Sequence, residues 1–115
     1  MANERVVYYY FTGGRQYIVS HVLKVISANT REDRVRWFKI GITNNPESRF
    51  RHYAKDYDKM IVVYRSSSLN NVSELERELI EHNREIADNV IGGGGGNYGS
   101  PPYFLYVVIK YRKAH

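Results

Sequence analysis

The sequence predicts a single small α/β (α+β) domain over residues 1–115, with a central three- to four-stranded sheet flanked by about three helices. Three observations carry that prediction. The chain has 115 residues, 43% of them apolar, which is enough for one core and too little for two. Runs rich in β-branched and aromatic residues alternate with stretches of helical period. The segments between them are short and polar. Regular β-α alternation favours parallel strands, but the short connections leave a mixed or antiparallel sheet equally open.

Each element has its own reason. "RVVYYYF" (5–11) is β-branched and aromatic and stops at "TGG", so it reads as a strand. In "RQYIVSHVLKVISANT" the residues Tyr17, Ile18, Val22, Val25 and Ile26 recur at near-helical spacing, which predicts a helix over 15–29. A charged turn, "REDR", leads to a second strand, "VRWFKIGI" (35–42). "TNNPESRFRHYAKDY" then opens a helix. Asn45 suits the cap, Pro46 the first helical position, and Glu47 the positive end of the dipole. Phe50, Tyr53, Ala54 and Tyr57 make its apolar stripe.

A third strand, "KMIVVYR" (59–65), ends in the polar turn "SSSLN". Asn71 with Glu74 three residues on reads as a capping pair for a helix running to about Ala87. Val72, Leu75, Leu79 and Ile86 form its buried stripe, with Ile80 beside them, while Glu74, Glu78, Glu81 and Glu85 form a solvated face. A glycine-rich loop (92–100) precedes the last strand, "YFLYVVIKY" (103–111).

The charge balance narrows the partners. Seventeen basic against twelve acidic residues give a net charge of +5, which favours polyanions, nucleic acid first. The chain has no cysteine, so disulfides, thiol catalysis and thiolate zinc sites are excluded together. No apolar run approaches the roughly 18 residues of a membrane span, and no signal peptide opens "MANERVVYYY". A cytoplasmic protein without a membrane partner is the expectation, and a homo-oligomer is compatible with it. Eleven tyrosines offer stacking on bases, a phenolate, or plain strand packing.

Two polar residues interrupt apolar faces. Glu76 falls inside the buried arc of its helix, one turn after Val72 and one before Ile80. A dry, unpaired carboxylate there costs several kcal/mol, so an arginine, a metal or a solvent-filled cleft must compensate. Arg49 borders the stripe of the preceding helix, one turn before Tyr53. Its plain reading is a side chain lying over aromatics; its functional reading is a bidentate hold on phosphate. An acid for a divalent metal and an arginine for the charge of the transition state suit phosphodiester hydrolysis.

On these residues the chain resembles the GIY-YIG nuclease superfamily, in the KIG-type form of small phage and mobile-element members. "FKIGITNNPESRFRHY" looks like the second motif: Lys39-Ile40-Gly41 end a strand, a polar turn follows, and a helix presents Arg49. "SELERELIEHN" resembles the helix that carries the family's metal-binding glutamate, which maps onto Glu76, three residues before Leu79 and Ile80. The family's asparagine maps onto Asn89, with Asn97 as the alternate. The first motif is degenerate. "VVYYYF" places Tyr8 at the tyrosine, with Val6 where the glycine would stand, and Lys39 takes the place of the second tyrosine. Tyr9 and Tyr10 are other registers, and strand alternation puts only Tyr10 on the face of Tyr8. Residues 13–34 then form a helical insertion between the two motifs.

The resemblance implies a GIY-YIG-like fold and a one-metal endonuclease using Mg2+ or Mn2+. Tyr8 would assist deprotonation of the attacking water, Glu76 would bind the metal, Arg49 would hold the phosphate, and Asn89 would support the site. Lys39 would act as base or contact phosphate, and His52, one turn after Arg49, would assist proton transfer or lie exposed. The partner is nucleic acid, DNA before RNA, or a nucleotide ligand. The alternative is a catalytically inactive module that holds nucleic acid or a phosphate-bearing nucleotide, as a phage inhibitor or signal-sequestering protein would. The glycine run lacks the Gly-Lys-Ser/Thr of a phosphate-binding loop and precedes a strand. It reads as the rim of the cleft, where backbone at Gly94 and the side chain of Asn97 approach the ligand.

Overall fold

Four strands form one sheet in the order β1-β3-β4-β2, and the last in sequence, β4, lies inside it. They are β1 (Val6–Tyr8), β2 (Val35–Thr43), β3 (Lys59–Ser66) and β4 (Tyr103–Tyr111), interleaved with α1 (Arg15–Asn29), α2 (Pro46–Tyr53) and α3 (Leu69–His82). β1 runs parallel to β3, whereas β4 is antiparallel to both β3 and β2. The sheet is therefore mixed. The computed structural model describes residues 5–10, 14–29, 35–82 and 99–111.

Strand alternation sends each strand's side chains to two different environments. Phe38, Ile40 and Ile42 of β2 join Leu105, Val107 and Ile109 of β4 in an apolar cluster with α1 and α3. Val22, Leu79 and Val72 from those helices are fully buried in it. On the opposite face Met60, Val62, Tyr106 and Val108 pack with Val6 and with Phe50 of α2. This second cluster is smaller and more aromatic.

One irregularity matters later. Between Val62 and Tyr64 the β3–β4 register slips by a residue. Tyr64 consequently joins Ile61 and Val63 on the α1/α3 face. Arg65, which strict alternation would send there too, lies instead over Phe104, on the α2 face.

The helix ends are partly as expected. Asn45 caps α2, its Oδ1 accepting from Ser48 N at 3.1 Å, and Pro46 opens the first turn. Tyr57 lies beyond the end of α2, yet stays buried because its N–H returns to Tyr53 O at 2.8 Å. The cap of α3 is not the Asn71–Glu74 pair. Ser68 Oγ accepts from Asn71 N at 3.2 Å, so the helix begins at Leu69 and Asn71 sits within its first turn. A serine cap of this kind is worth about 1 kcal/mol.

β1 is also shorter than "RVVYYYF", although Tyr9 N still donates to Val62 O at 2.8 Å. Arg5 ahead of it ties down the turn before β3. Its guanidinium donates to the carbonyls of Ala54, Tyr57 and Asp58 and covers the Phe50 ring at 4.8 Å. The described part of α3 ends at His82, so the expected continuation to Ala87 lies outside the described residues.

Candidate active site on the α2 face of the sheet

The strand registers align four residues in a single row across the sheet. Tyr8 pairs with Val62, Val62 with Tyr106, and Tyr106 with Gly41. The row joins the two motifs, Tyr8 from "VVYYYF" and Gly41 from "KIG", through a tyrosine of β4. Gly41 is glycine because of that neighbour. A Cβ on it would collide with the Tyr106 hydroxyl oxygen and stand 2.5 Å from Cζ of the same ring. The missing side chain is the space in which the Tyr106 phenol lies.

Around this phenol the polar residues gather. Tyr53, on α2, has its hydroxyl 3.1 Å from that of Tyr106. Lys39, two residues before Gly41 and on the same strand face, places Nζ 5.7 Å from the centre of the Tyr53 ring. Burial and the neighbouring Tyr53 push the Tyr106 pKa well above the ordinary tyrosine value, the Arg49 guanidinium pulls it back, and the Glu76 carboxylate raises it further. Both charges thus act on one hydroxyl. Glu76 itself is only 7% exposed, within a helix face otherwise made of Val72, Leu75, Leu79 and Ile80.

Tyr8 lies at the other end of the row. Its hydroxyl donates to Glu47 Oε1 at 3.2 Å, on the first turn of α2 and two residues before Arg49. Burial first, then the Glu47 carboxylate, raises the Tyr8 pKa from 10.0 to about 12. At neutral pH it is a phenol, and a donor. Tyr10 shares its face, with rings 5.9 Å apart, whereas Tyr9 points to the other side and meets His21.

The structure therefore sets Lys39 beside the Tyr53–Tyr106 pair and Tyr8 two strands away in the same row, with the Arg49 and Glu76 charges felt at Tyr106. His52 lies exposed on α2, at the α-helical position next to Tyr53. Asn89, Gly94 and Asn97 lie outside the described residues. The described end of the glycine-rich loop does return to this region. Gly99 has φ +75° and lies so close to Asn44 that a Cβ would stand 2.6 Å from Asn44 Nδ2. Asn44 Nδ2 donates to Ser100 O at 3.3 Å, next to the cap of α2.

Sequence reasoning missed Tyr53, Tyr106 and Glu47 as members of this group. Tyr53 and Tyr106 read as stripe and strand packing, and Glu47 as a dipole residue. The available signal was Gly41, since a glycine inside an apolar strand marks close approach by another group.

Among the described residues there is no cluster of three or more His, Cys, Asp or Glu side chains. The donor offered is the single carboxylate of Glu76. One hard oxygen ligand completed by substrate phosphate and water is a mode that Mg2+ commonly adopts, so the donor chemistry fits the ion.

Fold and site together define a small mixed α+β domain with a polar, tyrosine-centred cluster on one sheet face. Residues 14–94 match the T5orf172 domain family, and the chain belongs to it. No curated protein and no solved structure matches the chain. No helix among the described residues is long and apolar enough to cross a membrane.

Proposed function

We propose that this T5orf172 domain is a metal-dependent phosphodiesterase of GIY-YIG type acting on nucleic acid, DNA before RNA. The observation that carries the reading is the sheet row that joins Tyr8 to Gly41 of the KIG motif through Tyr106, with Tyr53 and Lys39 beside the Tyr106 phenol. The general link of this domain family to phage endonuclease-type proteins supports it.

In the proposed reaction a water oxygen attacks phosphorus, the leaving P–O bond breaks, and the departing ester oxygen takes a proton from solvent. The water's proton passes to Tyr8 Oη as the phenol's own proton moves to Glu47 Oε1, so no free phenolate is needed. Arg49 neutralises the negative charge that builds on the phosphoryl oxygens, and Lys39 adds a second positive charge from the same side. Tyr106, held by Tyr53 and seated over Gly41, orients these groups without exchanging a proton. Glu76 would hold Mg2+ or Mn2+, which when bound supplies a Lewis acid to the phosphate.

The test is divalent-dependent cleavage of plasmid and of single strands by the purified chain. Arg49→Ala is expected to lower the rate by about 10²–10³-fold, and Glu76→Ala to abolish the dependence on the metal. Full activity in both variants would sink the mechanism. The raised pKa of Tyr8 and Lys39 in place of a tyrosine favour one other reading, a module that binds a phosphate-bearing ligand and does not cut it. Metal-independent binding with no cleavage under any divalent ion selects that reading.

A further inference from the structure

We propose that the α2-face site takes its nucleic acid as a single strand, its bases stacked on an aromatic platform formed by Tyr8, Tyr10 and Phe104. The inference rests on the reading of the site as one for nucleic acid, and adds the form of the substrate. Tyr8 and Tyr10 meet edge to face, with ring centres 5.9 Å apart and planes at 72°. Tyr10 and Phe104 are stacked, 6.2 Å apart with planes at 29°. The Arg65 guanidinium lies 6.0 Å over the Phe104 ring. The platform starts at the Tyr8–Glu47 contact and so runs directly out of the candidate site.

Two features of the structure, and the difference between paired and unpaired bases, argue for a ligand rather than for packing. Tyr8 and Tyr10 are 42% and 43% exposed, large areas for aromatic residues that pack against one another. A duplex presents phosphates to such a surface, because its base faces are covered by their neighbours. An unpaired strand presents π-faces, which stack on aromatic rings whatever the base, with an arginine adding cation–π attraction and phosphate contact. The second structural feature is the bulge in β3. Regular alternation would direct Arg65 into the apolar α1/α3 cluster; the slipped register places it on the platform instead. Lys39, 5.7 Å from the Tyr53 ring, adds positive charge on the same face.

The test is binding of the full chain to labelled oligothymidylate, oligouridylate and a duplex of equal length, by fluorescence anisotropy in EDTA. Either single strand should bind at least about tenfold tighter than the duplex, and preference between the two oligomers identifies DNA or RNA. Tyr10→Ala should weaken single-strand binding by about tenfold while leaving duplex binding and the unfolding midpoint unchanged, and Tyr10→Phe should restore it. A duplex bound as tightly as the single strands, or a Tyr10→Ala variant that binds like the parent, overturns the proposal. This assay contains no metal and the cleavage assay contains it, so together they separate the two ideas. Single-strand binding here with no cleavage under divalent ions keeps the platform and sinks the hydrolase, and cleavage there without single-strand preference here does the reverse.

Discussion

The two faces of the sheet are built from the same four strands, residue by residue, and yet they hold different things. The face toward α1 and α3 is closed by aliphatic side chains, with Ile40, Val63, Leu79 and Leu105 wholly withdrawn from water. The face toward α2 is closed at its centre by Phe50, Met60 and Val62, and becomes hydroxylic and charged around Tyr53, Tyr106, Lys39 and Arg49. The helices explain the contrast. α1 and α3 cover one side with 15 and 14 residues, while α2 has eight, and of the row from Tyr8 to Gly41 it leaves the Tyr8 end exposed. Aliphatic packing dominates one side and tyrosine hydroxyls gather on the other, joined by strands that serve both.

Substitutions on each face can break that division. The largest expected effect is from Leu79→Ala, which empties a fully buried position of the aliphatic face. It should cost about 2–5 kcal/mol in urea unfolding, with cleavage per folded molecule unchanged; a specific loss of activity would mean that the faces are coupled. Gly41→Ala comes next. The added methyl must displace the Tyr106 ring, at a cost of about 1–3 kcal/mol, and here activity should fall further than the folded fraction does. Parental stability together with parental activity would contradict the close approach.

The smallest effect is at high pH. The folded Tyr8 pKa lies above its unfolded value, about 12 against 10.0, so its contribution is complete below pH 10 and is lost as pH rises toward 12. Tyr106 is shifted in the same direction. The urea midpoint should therefore decline across that interval. Glu47→Gln should make the decline shallower without removing it, since burial is the larger cause at Tyr8.

Much of this arrangement was legible in advance. Seven elements follow from hydrophobic period and turn residues, in the order observed. Arg49 and Glu76 stood out because each is a charge on an apolar face, a local anomaly that needs no partner to be noticed. Tyr106 stood out in no such way. A tyrosine in "YFLYVVIKY" looks like core, and its importance comes from lying opposite Gly41 and Val62, which only the register reveals. The sheet order was open for the same reason, because short connections permit several pairings.

Other misses were local but degenerate. "RSSSLNN" contains several residues able to cap a helix, and geometry chose Ser68 over Asn71. The bulge in β3 leaves no mark on "KMIVVYRS", where Val62 and Val63 are chemically interchangeable. Arg5 looked like the polar start of a strand, whereas it binds three carbonyls more than forty residues away.

The place of β4 has a consequence for the life of the polypeptide. It is the last strand in chain order and sits between β3 and β2 in the sheet, so Tyr106 arrives after every other member of the tyrosine row. A nascent chain with Tyr8, Lys39, Arg49 and Glu76 already synthesised still has an unfilled gap between β2 and β3. Until β4 is in place nothing in the described sheet joins β3 to β2, so the row from Tyr8 to Gly41 is completed by the last strand to be made.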